Sequence, residues 1–182
     1  SEVPMEGLVN LSNDLAEAGA WLLPTFCYFA AMSCFIGSLW GFYRFATPEL
    51  NPNRSRPWVP FVLMVMTGVF ISFNVVLNKS LVSAQSGISI SLSDQATSYD
   101  SSSGDLLSGN GPKDAILTIV ADFKAFFQVF GAFACFFAVL TWVSIVKGRS
   151  QRGFLSCVVQ YVFGIILMNP VKEATWLLSY WP

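Results

Sequence analysis

The side chains able to do chemistry fall into three small sets: two clusters of basic residues, four thiols, and a handful of polar groups inside apolar stretches. Arg44, Arg54 and Arg56 form one basic cluster, and Lys147, Arg149 and Arg152 form the other. Glu49 is the only acid among them. Clusters of this kind can hold phosphate by charge, whether of a lipid headgroup or of single-stranded DNA, and read no base edges. The same residues also carry a topological signal, because Lys and Arg next to apolar spans mark the cytoplasmic face.

Cys27, Cys34, Cys135 and Cys157 all lie in apolar segments with no Cys-x-x-Cys spacing, and they read as small buried hydrophobes. Asn74, Gln128, Gln160 and Asn169 could line a polar path through a membrane, which would make the chain a small transporter or channel. The plainer role for an amide inside a span is hydrogen bonding between helices. Asp122 and Lys124 read as interfacial residues whose charged ends reach water, in preference to a proton relay. The sequence contains no His. His is the usual acid or base at neutral pH and the commonest metal ligand, so most hydrolase and metalloenzyme templates are removed. No enzyme, metal or cofactor is expected.

These residues must be positioned by apolar helices. Of 182 residues, 54% are apolar and 12% charged, and 17 are Phe. A soluble domain carries roughly 25% charged residues. The expected fold is an all-α membrane protein with four hydrophobic helices in two tandem hairpins. A span needs roughly 20 apolar residues, and four segments approach or exceed that: 18–46, 58–77, about 115–146, and 154–171. Pro24 is expected to mark a kink or the true first turn of the first span. Ahead of it, residues 1–17 read as an external amphipathic helix, with Leu8, Leu11 and Leu15 on one face and Asn10, Asp14 and Glu17 opposite. The units are therefore 1–17, hairpin one over 18–77, a Ser/Gly-rich external loop over 78–113, and hairpin two over 114–182. Within the loop, GISISLS reads either as a short strand or as part of a disordered linker. Trp176, Tyr180 and Trp181 read as an aromatic belt at a membrane surface.

The basic clusters place both hairpin turns in the cytoplasm and the N-terminus, the Ser-rich loop and the C-terminus outside. A polar start at Ser1, with an exported N-terminus, is what signal-peptide removal leaves. A chain cut short at that residue for expression would start the same way.

The hairpins resemble each other. Phe29, Ala31, Cys34 and Phe35 match Phe130, Ala132, Cys135 and Phe136. Trp40 and Trp142 follow, a basic turn comes next in each, and each second helix carries a Gly and then an Asn: Gly68 with Asn74, and Gly164 with Asn169. Shared order and orientation indicate a parallel repeat, whereas the common transporter signature is an inverted one. Small residues mark close helix approach: Ala30, Ala31, Ser33, Cys34 and Gly37 on span one, Gly131, Ala132, Ala134, Cys135 and Ala138 on span three, and Gly68 and Gly164 on the return helices. Spans one and three are thus expected to make the tight contacts, within a chain or between copies.

LWGFYRF with its Pro-rich basic loop, and KGRSQRGFLSCVVQYVFGIILMNP, together resemble the IcmC/DotE and TraQ group of small polytopic membrane proteins of type IVB secretion and I-type conjugation systems. The resemblance covers roughly residues 20–171. It implies a bacterial envelope component, in the inner membrane, of a conjugative or effector-translocating machine, with other components of that machine as partners. A hairpin with external termini and a basic cytoplasmic turn also resembles conjugative pilins. That likeness implies a double-length, pilin-like subunit that polymerises with itself, sometimes with phospholipid, into an extracellular pilus. A static inner-membrane component of the same apparatus is the alternative.

Overall fold

The computed structural model describes residues 3–47, 57–83 and 112–180. Arg54, Arg56, Trp181 and the GISISLS segment lie outside the described residues. Every regular element within them is a helix, seven in order: α1 (Val3–Ala46), α2 (Trp58–Ile71), α3 (Phe73–Ser83), α4 (Pro112–Asp122), α5 (Lys124–Val146), α6 (Phe154–Leu167) and α7 (Pro170–Ser179).

The expected external helix and first span are one element. α1 runs unbroken through the 17/18 boundary and through Pro24 for 44 residues, about 66 Å at 1.5 Å per residue. Pro24 removes one amide donor, a loss that helices packed in a bundle absorb. The other expected long span also departs from its bounds: a break at Phe123 separates α4 from the 23 residues of α5. α1 and α5 are each long and apolar enough to cross a membrane.

The second helix of each pair is broken rather than straight. α2 and α6 each run 14 residues, then the chain turns by 79° into α3 and by 87° into α7. Each bent pair is a broken span or a re-entrant loop, so two to four segments of the described residues are long and apolar enough to cross a membrane. At the second bend Pro170 takes the first position of α7, where its missing N–H costs nothing, while it bars α6 from continuing. At the first bend no proline intervenes. Ser72 sits between Phe70 and Phe73, whose rings lie 5.7 and 5.9 Å from the ring of Phe136 on α5.

α2 returns antiparallel along α1: Ser38 Oγ donates to the Pro60 carbonyl at 2.9 Å, and Phe42 meets Phe61 edge-on at 4.9 Å. α6 returns likewise along α5, with Cys135 Sγ donating to the Tyr161 carbonyl at 3.4 Å and Trp142 packing on Phe154. α1 and α5 lie side by side and run the same way, since Gly19 and Phe26 meet α5 near its start and Gly37 meets Lys147 at its end.

On α1, Leu23 apart, the buried residues are small and most large apolar ones are exposed. The stripe of α1 that faces the interior carries Ser12, Ala16, Gly19, Cys27, Ala30, Ala31, Cys34 and Ser38, most of them small. Leu8, Leu11, Leu15, Trp21, Phe29, Met32, Ile36 and Trp40 face outward. In lipid, apolar bulk on the outside is not penalised, and small residues inside allow helices to approach. The expected amphipathic arrangement over residues 1–17 is corrected in one respect: its Leu face points outward and continues the apolar outer stripe of the helix.

Candidate functional site

The basic turn after α5 is the best-defined polar feature. α5 ends in a Schellman cap. The Gly148 N–H donates to the Ile145 carbonyl and the Arg149 N–H to the Ser144 carbonyl, both at 2.9 Å. Gly148 has φ 71°, the left-handed conformation that this cap requires and that side chains with a Cβ resist. Beyond it, Ser150 Oγ accepts the Arg152 N–H at 3.2 Å, closing the turn before α6. The cap therefore sets where Arg149 and Arg152 emerge. Gly148→Val is expected to cost about 1–2 kcal/mol through the left-handed penalty. A thermal unfolding midpoint lowered by several degrees in detergent checks it; an unchanged midpoint contradicts the cap's role.

An open pocket of about 590 Å³ lies under this turn. Phe137, Leu140 and Thr141 of α5 line its inner wall, and Arg149, Gln151 and Arg152 its rim. Thr141 and Ser144 spend their hydroxyl protons on carbonyls one turn back, Phe137 at 2.8 Å and Leu140 at 3.1 Å. The lining is mixed, more polar than apolar, and the two arginines at its rim can hold a phosphate by charge. Among the described residues no group of three His, Cys, Asp or Glu side chains is placed to hold a metal.

The parallel course of α1 and α5 brings Arg44 and Lys147 to the same end of the molecule. Arg44 lies 5.8 Å over the Trp40 ring, a cation–π contact. Lys147 turns inward: its Nζ is 3.9 Å from the position a Cβ on Gly37 would take, with Leu63 at 3.6 Å. Gly37 thus sits at the junction of α1, α2 and the Lys147 side chain.

Gly131, Cys135 and Gly164 pack within the second antiparallel pair, while Gly37 meets Leu63 of α2 and Lys147 after α5. A Cβ on Gly131 would stand 2.6 Å from the Gly164 carbonyl oxygen, and one on Gly164 would stand 2.8 Å from that of Gly131 and 2.6 Å from Cys135 Sγ. The α5–α6 contact is backbone on backbone. Ala31, Cys34, Ala132 and Cys135 are all buried. Gly68 departs from its expected packing role: it is exposed, and nothing lies within 4 Å of the position its Cβ would take. α2 buries Leu63, Met66 and Phe70, and at 100° per residue Gly68 falls on the opposite side. All four cysteines are free and buried.

Two contacts were not expected from the sequence, at Gly41 and at Ser80, and a third, at Gln160, is the expected hydrogen bond between helices. Gly41 accepts Pro60 so closely that a Cβ would come within 2.8 Å of the ring. Gln160 Nε2 donates to the Ala134 carbonyl at 3.4 Å. Ser80 and Tyr161 share a hydrogen bond at 2.8 Å that ties α3 to α6. The small residue at 41 and the polar residues at 80 and 160 were the available signals. The amides do not converge on a path: Gln160 serves α5, Asn74 Oδ1 accepts from Asn78 Nδ2 on its own helix at 3.3 Å, and Asn169 is buried at the second bend. At the end of α4, Asp122 has one carboxylate oxygen buried without a hydrogen-bond partner among the described residues, and burial pushes its carboxyl above the usual carboxylate range.

No protein-family model matches the chain, and no curated protein and no solved structure matches it either. The fold and site therefore define the chain by class: all-helical among the described residues, with long apolar helices consistent with a membrane location.

Proposed function

We propose that this chain is a structural, membrane-embedded subunit of a bacterial conjugation or type IVB secretion apparatus. It crosses the inner membrane four times as two hairpins, each bent pair forming one crossing. The observation that carries the reading is the repeated plan. Each half has a long helix, a basic end, a 14-residue return helix and a bend near 80°, and the two long helices run parallel. A transporter needs a polar path, and two of the candidate amides are instead used in packing, Gln160 on the Ala134 carbonyl of α5 and Asn74 with Asn78 on its own helix. Repetition in one orientation suits a unit that packs against like units. The resemblance to the IcmC/DotE and TraQ group and to conjugative pilins supplies the machine.

In this reading the subunit polymerises into a pilus with phospholipid. Arg44, Arg54, Arg56, Lys147, Arg149 and Arg152 lie at the cytoplasmic face, where they meet lipid phosphate or DNA in transit. The test is to shear surface material from transfer-competent cells and assay it for this chain. Its presence in filaments is the expected result. Confinement to the inner membrane, with transfer still dependent on the chain, would leave a static component of the same apparatus.

A further inference from the structure

The first antiparallel pair carries an uncovered copy of the stripe with which the second pair docks. The alignment of Phe29 with Phe130, Ala31 with Ala132 and Cys34 with Cys135 also matches Tyr28, Met32, Phe35 and Leu39 with Val129, Phe133, Phe136 and Leu140. The four positions are spaced as one helical seam.

In the second pair this seam is covered by the first. Val129 and Phe133 press on Gly19, and the Phe133 ring meets Phe26 edge-on at 6.4 Å. Phe136 is buried beside Phe70 and Phe73, and Leu140 packs against the core. In the first pair the matching seam faces out: Tyr28 is 60% exposed, Met32 62%, Phe35 46% and Leu39 54%. At the interior positions of the motif the repeat keeps its burial: Ala30, Ala31, Cys34 and Ser38 are buried like Gly131, Ala132, Cys135 and Val139.

The contact between the pairs joins two parallel helices by different surfaces, so it is heterologous. A heterologous contact between repeats leaves one donor surface and one acceptor surface unused, and these close on further copies as a ring or a filament. We infer that the Tyr28–Leu39 seam docks on the second pair of another copy of this chain, repeating between copies the contact made within one. Met32 then takes the place of Phe133, and its target is the turn of α5 around Phe127, the counterpart of Phe26. Phe127 is half-buried, so its ring has surface left to offer. The inference rests on the assembly reading above and gives it a direction: copies add head to tail, with their long helices parallel.

The test replaces Met32 with p-benzoyl-phenylalanine and irradiates cells assembling the apparatus. Head-to-tail docking is expected to give a ladder of dimer, trimer and higher adducts, with the bond mapping near Phe127 of another copy. Adducts with lipid alone, or adducts between two α1 helices that stop at dimer, would overturn it. The same photo-probe at Phe133 is expected to bond within its own chain near Phe26, which shows that the fold survives the probe. Amine cross-linking separates the two levels. Oligomers formed that way without the Met32 adduct overturn the docking geometry and leave assembly standing. No oligomers by either route overturn both.

Discussion

Gly164→Leu is expected to separate α5 from α6. Even a single added carbon at this position meets a backbone oxygen at 2.8 Å and the Cys135 sulfur at 2.6 Å. The sulfur can rotate away, but the Gly131 carbonyl belongs to a helix and cannot. Overpacking a filled site costs about 1–3 kcal/mol, and leucine here lies at the upper end because the obstacle is backbone. Separation would also lengthen the Cys135–Tyr161 and Gln160–Ala134 hydrogen bonds, which are at 3.4 Å already. Size-exclusion chromatography after heating in mild detergent should show loss of the monodisperse peak well below the parent's transition. Gly68→Leu provides the contrast, since its added side chain enters open space and the transition should stay where it was. Equal loss from both variants would mean that the two glycines share a packing role the structure denies to Gly68.

Reversing Arg44, Arg149 and Arg152 together to Glu is expected to strip anionic phospholipid from the purified protein. Each basic residue near an anionic membrane surface contributes about 1 kcal/mol, so losing three is about 3 kcal/mol, on the order of a hundredfold in occupancy, before any added repulsion. Mass spectrometry of lipid retained in nanodiscs reads the effect directly. Lysine at the same positions should keep much of the lipid, as it keeps the charge and loses only the paired donors of the guanidinium. Unchanged retention and unchanged transfer in the Glu variant would remove the phosphate-binding role. The clusters would then act as topology signals alone.

What the sequence made legible was the part governed by composition and spacing. Two helices long and apolar enough to span are visible because lipid-facing helices are apolar on nearly every side. The small residues at 31, 34, 131, 132, 135 and 164 are visible because close helix approach needs them, and the structure buries all six. The partner each would meet was not visible. Small residues state that something comes near, and only the fold shows that Gly131 meets Gly164 while Gly68 meets nothing. The bend after α6 had a local signal in Pro170, although the expected span ran one residue past it. The bend after α2 had none: Phe70 and Phe73 flank it because Phe136 arrives from a distant part of the chain. The basic turns were legible as clusters, but the left-handed Gly148 that aims Arg149 belongs to the helix cap.

The parallel repeat requires both hairpins to face the same way across a membrane. Single-cysteine labelling with an impermeant maleimide tests it, because the four native thiols are buried. Cysteine is introduced singly at Thr47 and Ser150, in the two basic turns, and at Ser83 and Ser179, at the ends of α3 and α7. In intact spheroplasts the expected result is labelling at 83 and 179, with 47 and 150 reacting only after lysis. Labelling that places 47 and 150 on opposite faces would contradict the parallel repeat and everything built on it.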